Sequence, residues 1–265
     1  MTSHDGCLSV LMPAYNEEGT IAGVLRRVLA LGPMVKEIVV VDDGSKDGTA
    51  AAVEAVVAED PRVRFFRQPR NMGKTAAIRE ALAQCDAEII IIQDADLEYD
   101  PAEIPAVVAP ILEGHADVAY GGRFLVRRAA RVLYFYHYLA NTFLTFLSNV
   151  LTNRNFTDIE TCYKAFRAGV VKPMILTSRG FGMEVEMTAM VCKTRARTYE
   201  VPISYYGRSY EEGKKIGVRD GLMAIWYIIY FNLVAPRLSA GRKYIREVNA
   251  FLENSAKLTA DDRVG

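Results

Sequence analysis

The chain has 265 residues, 51% of them hydrophobic and 24% charged, which is enough for one large globular domain or one domain with an appendage. Its 32 basic residues balance its 32 acidic ones, which argues against nucleic acid or an acidic polymer as partner. Cys7, Cys85, Cys162 and Cys192 are far apart and form no CxxC pair, which suits buried small hydrophobes in a reducing compartment.

No basic stretch leads into an apolar one before the first strand begins by Leu8. No signal peptide is therefore expected, and the expected place is the cytoplasm or its face of a membrane. LSVLMP predicts that first strand, followed by PAYNEE and a helix over residues 17–31. EIVVVDD predicts a second, ending in Asp42-Asp43-Gly44-Ser45 before a helix over 49–58. VRFFRQ predicts a third, followed by Asn71-Met-Gly-Lys74 and a helix over 75–83. EIIIIQD predicts a fourth, followed by Asp94-Ala95-Asp96 and a helix over 102–112, and DVAYGG a fifth. Runs that are apolar at every position mark strands covered on both faces. Strand–helix alternation then gives an α/β fold, a mostly parallel open sheet flanked by helices. Ligands in such sheets sit beyond the carboxyl ends of the strands, so four polar strand ends converge on one cleft.

Beyond residue 123 the alternation stops, and aromatic-rich helical segments surround one further strand near 199–205. The stretch 132–151 is broken by His137, Asn141, Ser148 and Asn149, and 221–236 stops at Pro236. Neither holds 18 uninterrupted apolar residues, so both read as core or interfacial helices rather than membrane spans. The stretch 255–265 is expected to fray. The expected organisation is a single domain over 1–235, with a nucleotide-binding half at about 8–122 and an acceptor half at about 123–235, and then a C-terminal helix and tail over 236–265.

Asp94 and Asp96 are two apart, so an extended backbone would point both side chains to one side. Two like charges there call for a cation, and hard oxygen ligands suit Mg²⁺ or Mn²⁺ bridging to a diphosphate. Carboxylates at Asp42 and Asp43 can accept hydrogen bonds from ribose hydroxyls or a base N–H, although DDGS is also an ordinary turn. Glu17 doubles as a first-turn acid, and Glu98 and Asp100 read as acids preceding Pro101 and a helix. No GxGxxG follows the first strand, which disfavours a dinucleotide-binding fold.

PAYNEE, VVVDDGSKDGT, RNMGK and QDAD, in this order, resemble family 2 of the nucleotide-sugar glycosyltransferases, which have the GT-A fold. The resemblance covers roughly residues 8–235. It implies that Pro13, Tyr15, Glu17 and Asp42 hold base and ribose, with Asn16, Asp43 and Ala95 in the same donor site. Lys74 would help hold the nucleotide, and Asp94 and Asp96 would bind metal and diphosphate. Gly121-Gly-Arg-Phe124 and the later EEGKKIG segment resemble dolichyl-phosphate mannose synthases and their bacterial polyprenyl-phosphate relatives. That resemblance implies an acceptor phosphate held by Arg123, Arg208, Lys214 and a third arginine, Arg131, with Arg127 and Arg128 as rivals. Asp158–Lys164 and Gly180–Glu186 resemble two further family segments and give Asp158 and Glu184 positioning roles beside Asp96, Arg123 and Arg208. The implied activity is inverting, metal-dependent transfer of mannose or glucose, from GDP-mannose or UDP-glucose, to a polyprenyl (dolichyl-type) phosphate. The enzyme would lie at the cytoplasmic face of a membrane, held by its amphipathic helices. Many relatives carry additional C-terminal spanning helices, which this sequence lacks, so a membrane-anchored partner protein is a further expectation. An alternative keeps the donor site but uses a hydroxyl acceptor, with Glu184 or Asp158 as general base. A third reading is a non-catalytic nucleotide-sugar-binding protein.

Overall fold

The structure is a computed structural model that describes residues 4–125, 131, 132, 134–207 and 218–261. Its first half runs β1 (Leu8–Ala14), α1 (Ile21–Leu29), β2 (Val35–Asp42), α2 (Thr49–Glu59), β3 (Val63–Arg67), α3 (Lys74–Gln84), β4 (Ile89–Ile92), α4 (Ile104–Leu112) and β5 (Val118–Gly122). The second half runs α5 (Phe135–Thr152), β6 (Lys164–Arg167), α6 (Ala168–Val171), α7 (Met183–Val191), β7 (Thr198–Pro202), α8 (Val218–Leu233) and α9 (Ser239–Asp261).

Among the described residues the strands form one seven-stranded sheet in the order β3-β2-β1-β4-β6-β5-β7. Every pairing is parallel except those of β6, which runs antiparallel to β4 and β5. The all-apolar runs behave as their composition requires: the four isoleucines of β4 are all buried, as is the whole of β2 except Lys36. β-Branched side chains fit a pleated strand covered on both faces.

The five strands and four helices read from the first half are present, with the largest boundary shift at the first helix. The first helix starts at Ile21, so Glu17 lies in the preceding turn, where its carbonyl accepts from the Thr20 and Ile21 amides. β6 was not anticipated: it is four residues long and starts with a lysine. The expected fraying from 255 is also corrected, since α9 remains helical to Asp261. Tyr244 and Val248 of α9 belong to the main core, and Phe251 packs where Gly169 leaves space, a Cβ there lying 2.5 Å from the ring.

The two aromatic-rich helices each bury one face in the core and expose another, α8 burying Ala224, Ile228 and Phe231. In α5 only Leu144, Thr145 and Ser148 are buried, whereas Phe135, Leu139, Phe143, Phe146 and Val150 form an exposed stripe at helical spacing. α8 packs against α5 and exposes Leu222, Trp226, Ile229 and Leu233 at the same spacing. Among the described residues no single helix is long and apolar enough to cross a membrane.

Candidate active site

Strand register aligns the donor-side loops. Ala14 lies beside Asp42 and Asp42 beside Arg67, while the Gln93 amide donates to the Leu11 carbonyl, so β1, β2, β3 and β4 finish at one edge. Asn16 adopts φ 55°, a left-handed conformation that asparagine tolerates. Its amide donates to Ser45 Oγ at 2.9 Å, and its Oδ1 accepts from the Lys46 amide at 2.9 Å. Asp42 is fully buried; its Oδ1 accepts from the Ser45 amide at 2.9 Å and its Oδ2 lies 3.1 Å from Arg67 Nε. Asp43 accepts from the Met72 and Gly73 amides at 2.6 and 2.8 Å, and burial nonetheless raises its carboxyl above the usual range. Gly44, at φ 73°, touches the Arg70–Asn71 backbone so closely that a Cβ would sit 2.6 Å from it. The Asn16 and Asp43 side chains thus brace neighbouring loops, while Pro13, Tyr15 and Glu17 sit partly buried at the mouth.

β4 ends at Ile92, so Asp94 and Asp96 lie in a turn and not on the extended backbone expected from their spacing. Buried Gln93 forms the pedestal of that turn. Tyr163 Oη donates to Gln93 Oε1 at 2.5 Å, and Gln93 Nε2 donates to the Asp94 carbonyl at 2.9 Å. Ala95 is buried beneath, and Asp96 Oδ1 accepts from the Glu98 amide at 3.0 Å. The ammonium of Lys74 stands 2.8 Å from Asp94 Oδ1 and 3.1 Å from its Oδ2, and 3.0 Å from Glu184 Oε1. Burial works against that charge, but Asp94 and Glu184 outweigh it and hold the ammonium protonated well above the ordinary lysine range. A cation therefore already stands at Asp94, and its hard oxygens, with those of Asp96, suit Mg²⁺ or Mn²⁺. Among the described residues no group of three or more His, Cys, Asp or Glu could hold a metal, so the protein would supply two carboxylates and leave other positions to ligand and water.

β5 runs in the same direction as β4 and delivers Arg123 to this edge. Its guanidinium clasps Asp158 with Nε at 2.5 Å and Nη2 at 2.8 Å, and lies over the Tyr205 ring at 4.9 Å. Asp158 also accepts from Asn141 Nδ2 at 3.1 Å and the Glu160 amide at 3.2 Å. Burial would raise this carboxyl, but the Arg123 charge and these hydrogen bonds hold it below the usual range. Tyr205 Oη donates to Glu98 Oε2 at 2.7 Å, and the Tyr206 amide donates to the Glu98 carbonyl at 2.9 Å. Glu98 is thus a strut between the Asp-Ala-Asp turn and the loop after β7, rather than only an acid ahead of a helix. Arg131 Nη1 donates to the Gly207 carbonyl at 2.9 Å, which places Arg131 against the same loop. Arg127, Arg128, Arg208 and Lys214 lie outside the described residues.

Residues 9–174 match the family profile described as Glycosyl transferase family 2. The chain belongs to that family. Glycosyltransferase AglJ of Haloferax volcanii is 32% identical over 222 residues, 80% of this chain and 67% of that protein. An undecaprenyl-phosphate 4-deoxy-4-formamido-L-arabinose transferase of Proteus mirabilis is 29% identical over 212 residues, 78% of this chain and 62% of that protein. The equivalent protein of Pseudomonas fluorescens is 41% identical over 113 residues. This family 2 chain thus spans between 33% and 67% of the length of these relatives. Glucosyl-3-phosphoglycerate synthase from Mycobacterium tuberculosis, solved with Mn²⁺, UDP and glucosyl-3-phosphoglycerate, superposes with a TM-score of 0.67 over 85% of this chain and 79% of that one, at 20% identity. The expected GT-A fold of a family 2 glycosyltransferase is therefore the fold observed.

Beneath the site of this family 2 chain lies a buried charge cluster that sequence reading missed, because only the antiparallel entry of β6 brings it there. Lys164 is fully buried, donates to the carbonyls of Ile159 and Thr161 at 2.7 and 2.9 Å, and stands 4.1 Å from the centre of the Tyr120 ring. Burial drops its ammonium to about 8. Glu160 has a buried Oε1 with no hydrogen-bond partner, and burial together with the Glu184 charge pushes its carboxyl up to about 8. The folded protein therefore holds the Glu160 proton more tightly than the unfolded chain, and this carboxyl costs more stability as pH rises from its ordinary 4.5 toward 8. Glu160→Gln is expected to raise the melting temperature by several degrees at about pH 8 and by little at about pH 5. Thermal unfolding across that range checks this; a pH-independent offset would contradict it.

Proposed function

We propose that this chain transfers a hexose, mannose or glucose, from a nucleotide diphosphate sugar to the phosphate of a polyprenyl-type lipid at a membrane surface. The observation that carries this reading is Arg123, which follows β5 and lies over the ring of Tyr205, whose hydroxyl donates to Glu98 two residues after Asp96, in a chain whose helices α5 and α8 both expose apolar stripes. Phe146 is 62% and Trp226 57% exposed, and aromatic stripes on adjacent helices suit the headgroup boundary of a bilayer. Undecaprenyl-phosphate transferases among the relatives support a lipid phosphate acceptor, and the Mn²⁺- and UDP-bound neighbours support a metal-assisted nucleotide-sugar donor.

In this reading Asp42 faces the ribose and base. Asp94 and Asp96 would hold a divalent cation, which when bound supplies positive charge against the departing diphosphate. Lys74 adds a second cation on that side. Arg123, with Arg131, Arg208 and Lys214, would align the acceptor phosphate. Attack by its oxygen on the anomeric carbon forms the new C–O bond as the bond to the diphosphate breaks, with inversion. A phosphate is already anionic, so no general base is required. This agrees with Asp158, which is saturated by Arg123 and Asn141 and held below the usual carboxyl range, a poor base for a hydroxyl acceptor.

Transfer of radiolabel from UDP-glucose or GDP-mannose into butanol-extractable lipid, with polyprenyl phosphate in detergent or vesicles, tests the reading. Incorporation into lipid is expected; label reaching only soluble hydroxyl acceptors would favour the alternative activity. Replacing both Phe146 and Trp226 by glutamate should weaken vesicle co-sedimentation at least about tenfold, since each buried aromatic contributes roughly 1.5–3 kcal/mol. The nucleotide-induced thermal shift should stay unchanged.

A further inference from the structure

Lys74 occupies an unusual electrostatic position. It opens α3, directly after Gly73 at φ 93°, and Thr75 Oγ1 donates to the Gly180 carbonyl at 3.3 Å, fixing this end of α3 against the turn that leads into α7. Its ammonium is shared by Asp94, on the donor side, and Glu184, in the first turn of α7. Glu184 is buried, and its Oε2 has no hydrogen-bond partner. A lysine tethered at one end by the helix and at the other by Glu184 has little room to withdraw from Asp94. A bare dication approaching Asp94 would therefore meet a fixed positive charge at contact distance, in a partly desolvated site where repulsion is weakly screened. A nucleotide diphosphate changes the sign of this encounter, because its phosphate oxygens can take the metal and the ammonium together.

We propose that Lys74 is the resident counter-ion of Asp94, which keeps a bare divalent cation out of the site and makes metal binding conditional on the nucleotide diphosphate. The proposal rests on the donor-site reading above, in which Asp94 and Asp96 hold the metal. Glu184 is the positioning residue that keeps Lys74 in place.

Free Mn²⁺ can be followed by electron paramagnetic resonance during titration of the wild-type chain with and without UDP or GDP, with Asp96→Ala as the background for adventitious binding. In the wild type, nucleotide should tighten Mn²⁺ at least tenfold. In Lys74→Met, bare Mn²⁺ should bind at least tenfold tighter than in the wild type, nucleotide without metal should bind more weakly, and the mutual enhancement should shrink. Lys74→Arg, which keeps the charge, should behave like the wild type. Bare Mn²⁺ affinity unchanged or weaker in Lys74→Met would overturn the counter-ion role while leaving the metal site intact. Absence of nucleotide-dependent Mn²⁺ binding in the wild type would overturn the donor-site reading and the proposal with it. If Lys74→Met fails to fold, Glu184→Gln decides: with its tether weakened, Lys74 can withdraw from Asp94, so bare Mn²⁺ should bind several-fold tighter, and equal or weaker binding counts against the proposal.

Discussion

Asp96→Ala should reduce sugar transfer by about three orders of magnitude or more while the protein stays folded. The side chain is partly exposed and accepts the Glu98 amide at 3.0 Å, a turn contact whose loss costs about 1 kcal/mol. In the proposed reading it also removes one of the two carboxylates that would hold the metal, and among the described residues no group of three or more His, Cys, Asp or Glu could hold one. Losing charge stabilisation of a leaving diphosphate by about 4 kcal/mol corresponds to that thousandfold loss. Single-turnover transfer, compared with the thermal shift caused by nucleotide in the presence of chelator, separates the two contributions. The first should collapse and the second should persist. Full activity in this variant, above all with excess chelator, would remove the metal from the account.

Arg123→Ala should be the most destabilising single substitution in the site. Asp158 is fully buried and the Arg123 side chain is only 13% exposed. Removing the arginine leaves a buried carboxylate with hydrogen bonds from Asn141 and one amide and only the unpaired influence of Lys164 in place of its clasping guanidinium, a change that costs about 3–5 kcal/mol. Because the pair holds the Asp158 carboxyl below its ordinary value, its contribution is complete above the normal carboxylate range and is lost as the pH falls beneath it. The stability gap between Arg123→Ala and the wild type should therefore narrow in acid. Denaturant unfolding at neutral pH and at about pH 3 checks both parts. Asp158→Asn in the same background should recover part of the loss, because it removes the unpaired charge. A loss below about 1 kcal/mol would mean that the clasp contributes little.

Much of this architecture was legible in the residues. The isoleucines of β4 and the valines of β2 are apolar at every position, which only a strand covered on both faces tolerates, and the polar residues after each run marked the cleft edge. β6 escaped because Lys164 is a poor advertisement for a buried strand; its charge is accommodated by two carbonyls and an aromatic ring that no local pattern reveals. The same blind spot hid Glu160. Period-two reasoning also failed at Asp94 and Asp96, since the strand had already ended at Ile92. Glu98 was misjudged because its partner, Tyr205, is 107 residues away. Asn16 and Asp43 show the converse limit: polar residues in a ligand-binding loop often hold the loop itself, and spacing alone does not separate the two uses.

The central claim is that the acceptor is a lipid phosphate, and one competition reaction tests it most directly. Purified chain, Mn²⁺ and a nucleotide sugar are offered polyprenyl phosphate and a soluble hydroxyl acceptor together, with products identified by mass spectrometry. The account predicts that polyprenyl phosphate gains one hexose in an acid-labile phosphodiester, and that Arg123→Lys reduces this product without abolishing nucleotide binding. A hexosylated hydroxyl acceptor, with the polyprenyl phosphate recovered unchanged, would contradict it.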